Sequence, residues 1–185
     1  MMAARMEAYG AVPDVRQRRN MKKAMNSPPT QANRQALSLA GWLLLTFAAS
    51  ATGVFVSTGG WYAGLVKPSW NPPSWLFGPV WTALYAMMAV AAWRVWQEGG
   101  WQTQKRALGL YLLQWALNAL WTPIFFGLRR PGWAFAEILV LDAAVLGTLA
   151  AFWRVKWLAG ALLVPYTLWV VFATILNFTI WRLNS

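Results

Sequence analysis

Apolar runs of about twenty residues alternate with short polar or proline-rich segments along most of this chain. The runs occupy residues 37–56, 77–96, 107–126, 133–153 and 158–181. An α-helix needs roughly 20 consecutive apolar residues to cross a bilayer. The pattern therefore predicts an all-α membrane protein, a bundle of five transmembrane helices. The connections after the second, third and fourth runs are short, so we expect consecutive helices there to be antiparallel.

Residues 1–36 form a contrasting segment that is polar, basic and interrupted by prolines. A segment of this composition, without apolar periodicity, is expected to remain disordered. We therefore predict a basic, disordered tail over 1–36 and a transmembrane domain over 37–185. Binding of the tail to acidic lipids or to a partner is an alternative, and Met21 or Met25 is an alternative start.

The distribution of basic residues predicts an orientation. With the N-terminus inside, twelve of the 16 Lys and Arg residues lie on the inner side and four on the outer side. Cytoplasmic segments carry the excess of Lys and Arg, so we expect a cytoplasmic N-terminus. The expected location is a bacterial cell membrane, with the outer membrane of a bacterium or mitochondrion as the alternative.

Composition excludes several kinds of chemistry. The chain is 58% hydrophobic and 11% charged, and it has no Cys and no His. It therefore lacks thiolate and imidazole ligands for a metal, and it lacks the commonest general base, so we predict no metal site, no required cofactor and no catalytic residue. The net charge of +11 would suggest a nucleic-acid partner in a soluble protein, but here the charges flank apolar runs, and we predict none. Seven of the 15 Trp residues lie near the ends of runs, as interface anchors do.

The connection between the first two runs has a shape of its own. It contains Trp70, Pro72 and Pro73, and a helix is expected from Pro79 onward. Proline fixes φ and pushes the preceding residue to an extended conformation. This rigid aromatic segment is either an anchor at the membrane interface or the lid of a pocket.

Aromatic and amide side chains recur at helical spacing inside three runs. Residues three or four apart share a helix face, and amides inside a bilayer face the bundle interior rather than lipid. Hydrogen bonds that only hold the helices together are one explanation. Together with the rigid loop, these faces favour a pocket for a flat, largely apolar ligand. The residues concerned are Trp81, Tyr85, Gln114, Asn118, Trp121, Trp169, Ala173 and Asn177.

Two acidic residues lie inside the fourth run. Glu137 is about one turn from its start, where it can reach the interface, and Asp142 is nearer the middle. An intramembrane acid is a functional candidate, although Asp142 could equally be protonated and bonded to a neighbouring helix. Small residues at spacing four, such as 143, 147 and 151, allow close contact within the protomer or across a homodimer.

A set of motifs between about residues 41 and 184 resembles the TspO / translocator protein family, also called tryptophan-rich sensory proteins or peripheral benzodiazepine receptors. The motifs are Trp61-Tyr62, Lys67-Pro68, Trp70-Asn71-Pro72-Pro73, Phe77-Gly78-Pro79-Val80-Trp81-Thr82, Trp121-Thr122-Pro123, Pro165-Tyr166 and Trp181-Arg182-Leu183-Asn184. The resemblance implies a five-helix bundle, often dimeric, that binds porphyrins and benzodiazepine-site ligands beneath the first loop. It places ligand contacts at Trp70, Trp81, Tyr85, Asn118, Trp121, Trp169, Ala173 and Asn177.

The resemblance leaves three functions open. The first is a receptor or transporter for a tetrapyrrole such as protoporphyrin IX or a haem-like molecule. The second is light-dependent porphyrin breakdown through Trp81 or Trp169, and the third is proton-coupled transport that relies on Glu137 or Asp142. The family's sterol motif is imperfect, since Phe178 stands where a Tyr is wanted, so we do not expect sterol binding.

Overall fold

The computed structural model describes residues 14, 16, 17, 19, 30–54 and 59–185. Two compact units make up the chain, Met1–Ala36 and Leu37–Ser185. All regular structure in the described residues is helical, as the sequence predicts. Beyond residue 30 the α-helices are α1 (Gln31–Ala48), α2 (Ala51–Val54), α3 (Gly59–Gly64), α4 (Ser74–Trp96), α5 (Gly100–Thr122), α6 (Pro131–Val155) and α7 (Trp157–Leu183).

Part of the predicted disordered tail is helical. Helix α1 begins at Gln31, six residues before the predicted boundary. The backbone N–H of Asn33 donates to the Thr30 hydroxyl at 3.3 Å, and such a bond satisfies one of the free donors at a helix start. The prediction is therefore wrong for residues 31–36, and most of the remaining tail lies outside the described residues.

The first predicted span is interrupted. Helix α1 ends at Ala48, and a turn at residues 49–50 separates it from α2. The Ser50 hydroxyl donates to the Phe47 carbonyl at 2.6 Å, and the Thr52 hydroxyl donates to the Ala49 carbonyl at 2.9 Å. Such side-chain bonds offer the backbone an alternative to a continuous helix. Residues 55 and 56 of this span lie outside the described residues.

Among the described residues, three helices are long and apolar enough to cross a membrane: α4, α6 and α7. The outward surfaces of α6 and α7 are apolar as well, since Leu146, Leu168 and Ile175 are each more than half exposed. A helix that is hydrophobic on all sides suits a lipid environment. Whether the segments that include α1 and α5 also cross the membrane stays a prediction, and so does the total of five spans.

The bundle core lies between α4, α5, α6 and α7, and the connections are as short as predicted. A single residue, Lys156, joins α6 to α7, and these two helices approach closely at Gly160. A Cβ atom on Gly160 would lie 2.8 Å from the Trp153 Cα atom. The small residues of α6 also pack within the protomer, because a Cβ on Gly147 would lie 3.8 Å from Leu110 of α5. The homodimer stays a prediction.

Prolines set two helix ends. Helix α4 begins at Ser74 rather than near Pro79, after Pro73 in an extended conformation with ψ of 143°. Pro123 follows α5 and opens a π-helical turn, Pro123–Gly127, in which the Leu128 N–H donates to the Pro123 carbonyl at 2.8 Å. Proline removes an α-helical hydrogen bond, which explains the change from an α-helix to a wider turn at this point.

Candidate ligand-binding cavity

A cavity of about 950 Å³ lies between the loop after α3 and helices α4, α5, α6 and α7. The π-helical turn and the α1–α2 turn complete its wall. Its volume is at the upper end of the roughly 300–1,000 Å³ that is usual for small-molecule pockets. The seven predicted contact residues that line it are Trp81, Tyr85, Asn118, Trp121, Trp169, Ala173 and Asn177.

Trp70 is the predicted contact residue that does not line the cavity. Its side chain is 46% exposed, and its ring meets the edge of Phe172 at a centroid distance of 5.9 Å. Phe172 in turn lies 5.4 Å from Trp169. Trp70 therefore supports the wall from outside. Whether the other seven contact a ligand stays a prediction.

Aromatic rings form much of the wall, and each is held by another ring. Trp81 lies 5.1 Å from Tyr85, and Trp169 meets Phe77 at 5.9 Å in an edge-to-face arrangement. Trp121 stacks on Phe125 at 4.9 Å. Offset and edge-to-face pairs are the favoured aromatic geometries. The wall is therefore pre-ordered before any flat ligand enters.

Asn118 joins three helices through a buried network. Its Oδ1 accepts a hydrogen bond from the Tyr85 hydroxyl at 2.9 Å, and its Nδ2 donates to the Tyr166 hydroxyl at 3.4 Å. Tyr166 donates onward to Gln114 Oε1 at 2.7 Å, whose Nε2 has no partner among the described residues. Asn118 thus both bonds across helices and lines the cavity. Its amide keeps one donor and one acceptor site for a ligand.

Asn177 holds a second junction at the cavity wall. Its Oδ1 accepts a hydrogen bond from the Trp121 indole N–H at 3.0 Å, and its Nδ2 donates to the Pro131 carbonyl at 2.8 Å. The side chain is 1% exposed. Asn177 therefore ties both the Trp121 ring and the start of α6 to α7. These two bonds account for an amide side chain at position 177 even without a ligand.

The loop over the cavity is held by its own polar groups. The Tyr62 hydroxyl donates to Asn71 Oδ1 at 3.1 Å, and Asn71 Nδ2 donates to the Pro72 carbonyl at 3.0 Å. Burial raises the pKa of Tyr62, and the bond with Asn71 lowers it by less. Tyr62 is therefore a neutral donor at physiological pH, and the loop presents an ordered surface to the cavity.

Lys67 brings a positive charge to the cavity. Its ammonium group donates to the carbonyls of Ala63 at 3.2 Å and Leu65 at 3.0 Å, and it lies 4.7 Å from the centre of the Tyr62 ring. Sequence reasoning did not select Lys67, Tyr62, Asn71 or Phe77 as contacts. The first three lie outside the helical periodicity that identified the others, and the available signal was their place in the motifs Trp61-Tyr62, Lys67-Pro68 and Trp70-Asn71-Pro72-Pro73.

The far side of the loop is tied to the end of α7. The Val66 N–H donates to Asn184 Oδ1, and Asn184 Nδ2 donates to the Val66 carbonyl, both at 2.9 Å. Asn184 Nδ2 also donates to the Ile180 carbonyl at 2.8 Å. This paired bond fixes the position of the loop relative to the bundle.

Neither acid of the fourth run lines the cavity. The Thr174 hydroxyl of α7 donates to Asp142 Oδ2 at 2.8 Å, so the bond to a neighbouring helix, which the sequence left as one alternative, is present. Both carboxyl oxygens of Glu137 are buried without a partner among the described residues. The expectation that Glu137 reaches the interface is therefore wrong, because its carboxyl group turns into the protein.

Comparison with known proteins gives one family. The sequence model of the TspO/MBR family matches residues 36–182. The human Translocator protein is 49% identical over 126 residues, which are 67% of this chain and 75% of that protein. Protein CrtK of Rhodobacter capsulatus is 46% identical over 74% of this chain and 86% of its own length. The Tryptophan-rich sensory protein of Cereibacter sphaeroides is 45% identical over 77% of this chain and 91% of its own length. The chain belongs to the TspO/MBR family of membrane proteins.

Proposed function

We propose that this protein is an integral membrane receptor or transporter for porphyrins, and that it binds them in the cavity beneath the loop. The observation that carries the proposal is the cavity of about 950 Å³, with several ordered aromatic rings, a mainly apolar lining and one ammonium group. This composition suits a flat, largely apolar molecule that carries acidic substituents, as protoporphyrin IX does. The porphyrin is a ligand in this proposal, not a resident cofactor.

Charge complementarity orients the ligand. Lys67 is the one basic side chain among the described lining residues, and no Asp or Glu accompanies it. The carboxylates of protoporphyrin IX would therefore lie toward the loop, and the ring system toward Trp81 and Trp169. Hydrogen bonds to charged groups contribute about 1.5–3 kcal/mol when well formed and less when exposed.

The Lys67→Gln variant tests this orientation. We expect it to bind protoporphyrin IX about three- to tenfold more weakly, since one charge-assisted bond is lost at a half-buried position. Binding of the uncharged dimethyl ester should change less than about twofold. Both affinities follow from titration of the absorbance of the porphyrin against the purified protein in detergent.

The Arg94→Gln variant is the matched control. Arg94 is exposed at the far end of α4 and lies against Trp93, so both ligands should bind this variant as they bind the parent. An equal loss of the acid and the ester with Lys67→Gln would contradict the charge contact. No binding of either ligand to the parent would contradict the proposed function itself.

Light-dependent breakdown of the porphyrin is a second candidate, because Trp81 and Trp169 line the cavity while the described lining offers no carboxylate. Conventional acid–base chemistry uses groups such as carboxylates and imidazoles, so the reaction would be photochemical. Loss of porphyrin absorbance under illumination, absent in the dark and absent in the Trp81→Phe variant, would favour this function over binding alone.

A further inference from the structure

A second concavity, of about 610 Å³, lies where α6 begins and α7 ends. We call it the arginine recess. Arg129, Arg130, Gly132, Trp133 and Trp181 line it, together with the last residues of the chain. It is a separate feature from the ligand-binding cavity, with which it shares no lining residue.

Uncompensated positive charge characterises the arginine recess. Neither Arg129 nor Arg130 takes part in an ion pair with a described residue. The one ion pair among the described residues joins Lys156 to Glu98, and neither of these lines the recess. No Asp or Glu side chain is among the described residues that line the recess. The two guanidinium groups therefore have no carboxylate side chain among the lining residues, which favours an anionic occupant.

Further donors surround the two arginines. Helix α6 has no side-chain cap, and Pro131 occupies its first turn, so the N–H groups of the next residues have no side-chain acceptor at this helix end. The macrodipole of this 25-residue helix adds positive potential at the same point. Trp181 adds an indole N–H that has no acceptor among the described residues, whereas the Asn184 amide is already bonded to Val66 and Ile180.

Local backbone geometry holds this donor set in place. Arg129 has φ of 56°, a left-handed conformation that a side chain with a Cβ adopts at a cost. A Cβ on Gly132 would lie 3.0 Å from the Trp181 ring, so the glycine allows the indole to approach the start of α6 closely. These two features place Arg129 and the Trp181 ring together in the recess, beside the start of α6.

The flanking tryptophans indicate the depth of the recess in the membrane. The Trp133 side chain is 74% exposed, and it lies at the start of α6, which is long and apolar enough to cross a membrane. Exposed Trp residues at such helix ends lie at the level of lipid headgroups. The recess therefore lies at the level where phosphate groups of the bilayer are found.

We propose that the arginine recess binds the headgroup of an anionic phospholipid. The phosphate would accept hydrogen bonds from Arg129, Arg130 and the free N–H groups at the start of α6, and the acyl chains would follow the apolar surface of α6. A lipid, rather than a free anion, is the favoured source, because the recess adjoins a helix surface that faces the bilayer.

Native mass spectrometry of the full chain in detergent tests the site with dioctanoyl-phosphatidylglycerol as the probe and dioctanoyl-phosphatidylcholine as the neutral comparison. We expect one phosphatidylglycerol per chain, bound in preference to phosphatidylcholine. The Arg129→Gln/Arg130→Gln variant should weaken this binding about tenfold or more. The Arg129→Lys/Arg130→Lys variant should retain most of the binding, which shows that a loss in the Gln variant does not come from misfolding.

The charge-matched control is Lys105→Gln/Arg106→Gln, which removes two exposed basic residues near the start of α5. An equal loss in this control would mean general electrostatic attraction and would overturn the site. Equal binding of the two lipids would also overturn it. Displacement of phosphatidylglycerol by an equal concentration of inorganic phosphate would assign the recess to a free anion instead. These measurements use no porphyrin, so their outcome is independent of the proposed function.

Discussion

Trp81→Phe and Trp169→Phe are each expected to weaken protoporphyrin IX binding at least about tenfold, or about 1.4 kcal/mol. Both indoles line the cavity, and each is positioned by a neighbouring ring, Trp81 by Tyr85 and Trp169 by Phe77. Aromatic contacts contribute roughly 0.5–1.5 kcal/mol beyond the burial of apolar area. The shorter Phe ring loses both contact area and the indole N–H.

Trp153→Phe is the control for these two variants. Trp153 is on α6, is 49% exposed and does not line the cavity, so its substitution should leave affinity within about twofold. Fluorescence or absorbance titration with protoporphyrin IX compares all three variants with the parent. If all three bind like the parent, the ring system of the ligand does not lie between Trp81 and Trp169.

Gly160→Ala is expected to lower stability by about 1–3 kcal/mol, which is the usual cost of overpacking a close contact. The added Cβ would lie 2.6 Å from the Trp153 ring and 2.8 Å from its Cα. The Cα belongs to the backbone of α6, so the two helices must move apart, and their single-residue connection at Lys156 limits how far they can adjust. The higher helix propensity of Ala offsets at most about 1 kcal/mol.

Gly109→Ala is the control, because it raises helix propensity without adding a close contact. A Cβ at Gly109 of α5 would meet no atom within 4 Å, so this variant should be as stable as the parent or more stable. Thermal unfolding in the same detergent, followed by circular dichroism, gives the difference in Tm. Equal Tm values for the two alanine variants would show that α6 and α7 do not pack as closely as described.

Helix periodicity explains why most of the candidate site could be predicted. Asn118 and Trp121 share one helix face, and Trp169, Ala173 and Asn177 share another, so spacing alone selected residues that the fold then brings to one cavity. Periodicity gives no information about loops. Lys67 lines the cavity because the loop folds back over the bundle, and Trp70 lies outside because its ring packs on Phe172.

Local side-chain bonds explain where the predicted helix ends were wrong. The Thr30 hydroxyl starts α1 within a segment whose composition predicts disorder. Ser50 and Thr52 bond to nearby carbonyls and accompany a break in an uninterrupted apolar run. Each of these bonds contributes about 1 kcal/mol, which is enough to move the end of a helix by a few residues. The residues that form them do not change the hydrophobic pattern of the sequence, so that pattern could not predict these ends.

Buried polar contacts also depend on neighbouring helices. The pattern placed Asn118 in the interior, but its partners Tyr85 and Tyr166 come from α4 and α7, and only the packing of those helices decides that they meet. Glu137 shows the same limit. Its distance from the start of the run suggested the interface, whereas its rotation about α6 turns the carboxyl group into the protein.

The most direct test of the central claim is a variant that fills the cavity. Ala173 lines the cavity on α7, so Ala173→Phe inserts a ring into the proposed ligand space without removing any contact. Ala150→Phe makes the same change at an exposed position of α6. Titration of both variants with protoporphyrin IX should show binding lost in Ala173→Phe and unchanged in Ala150→Phe, with both proteins folded by circular dichroism. Parent-like affinity in a folded Ala173→Phe protein would contradict the placement of the porphyrin in this cavity.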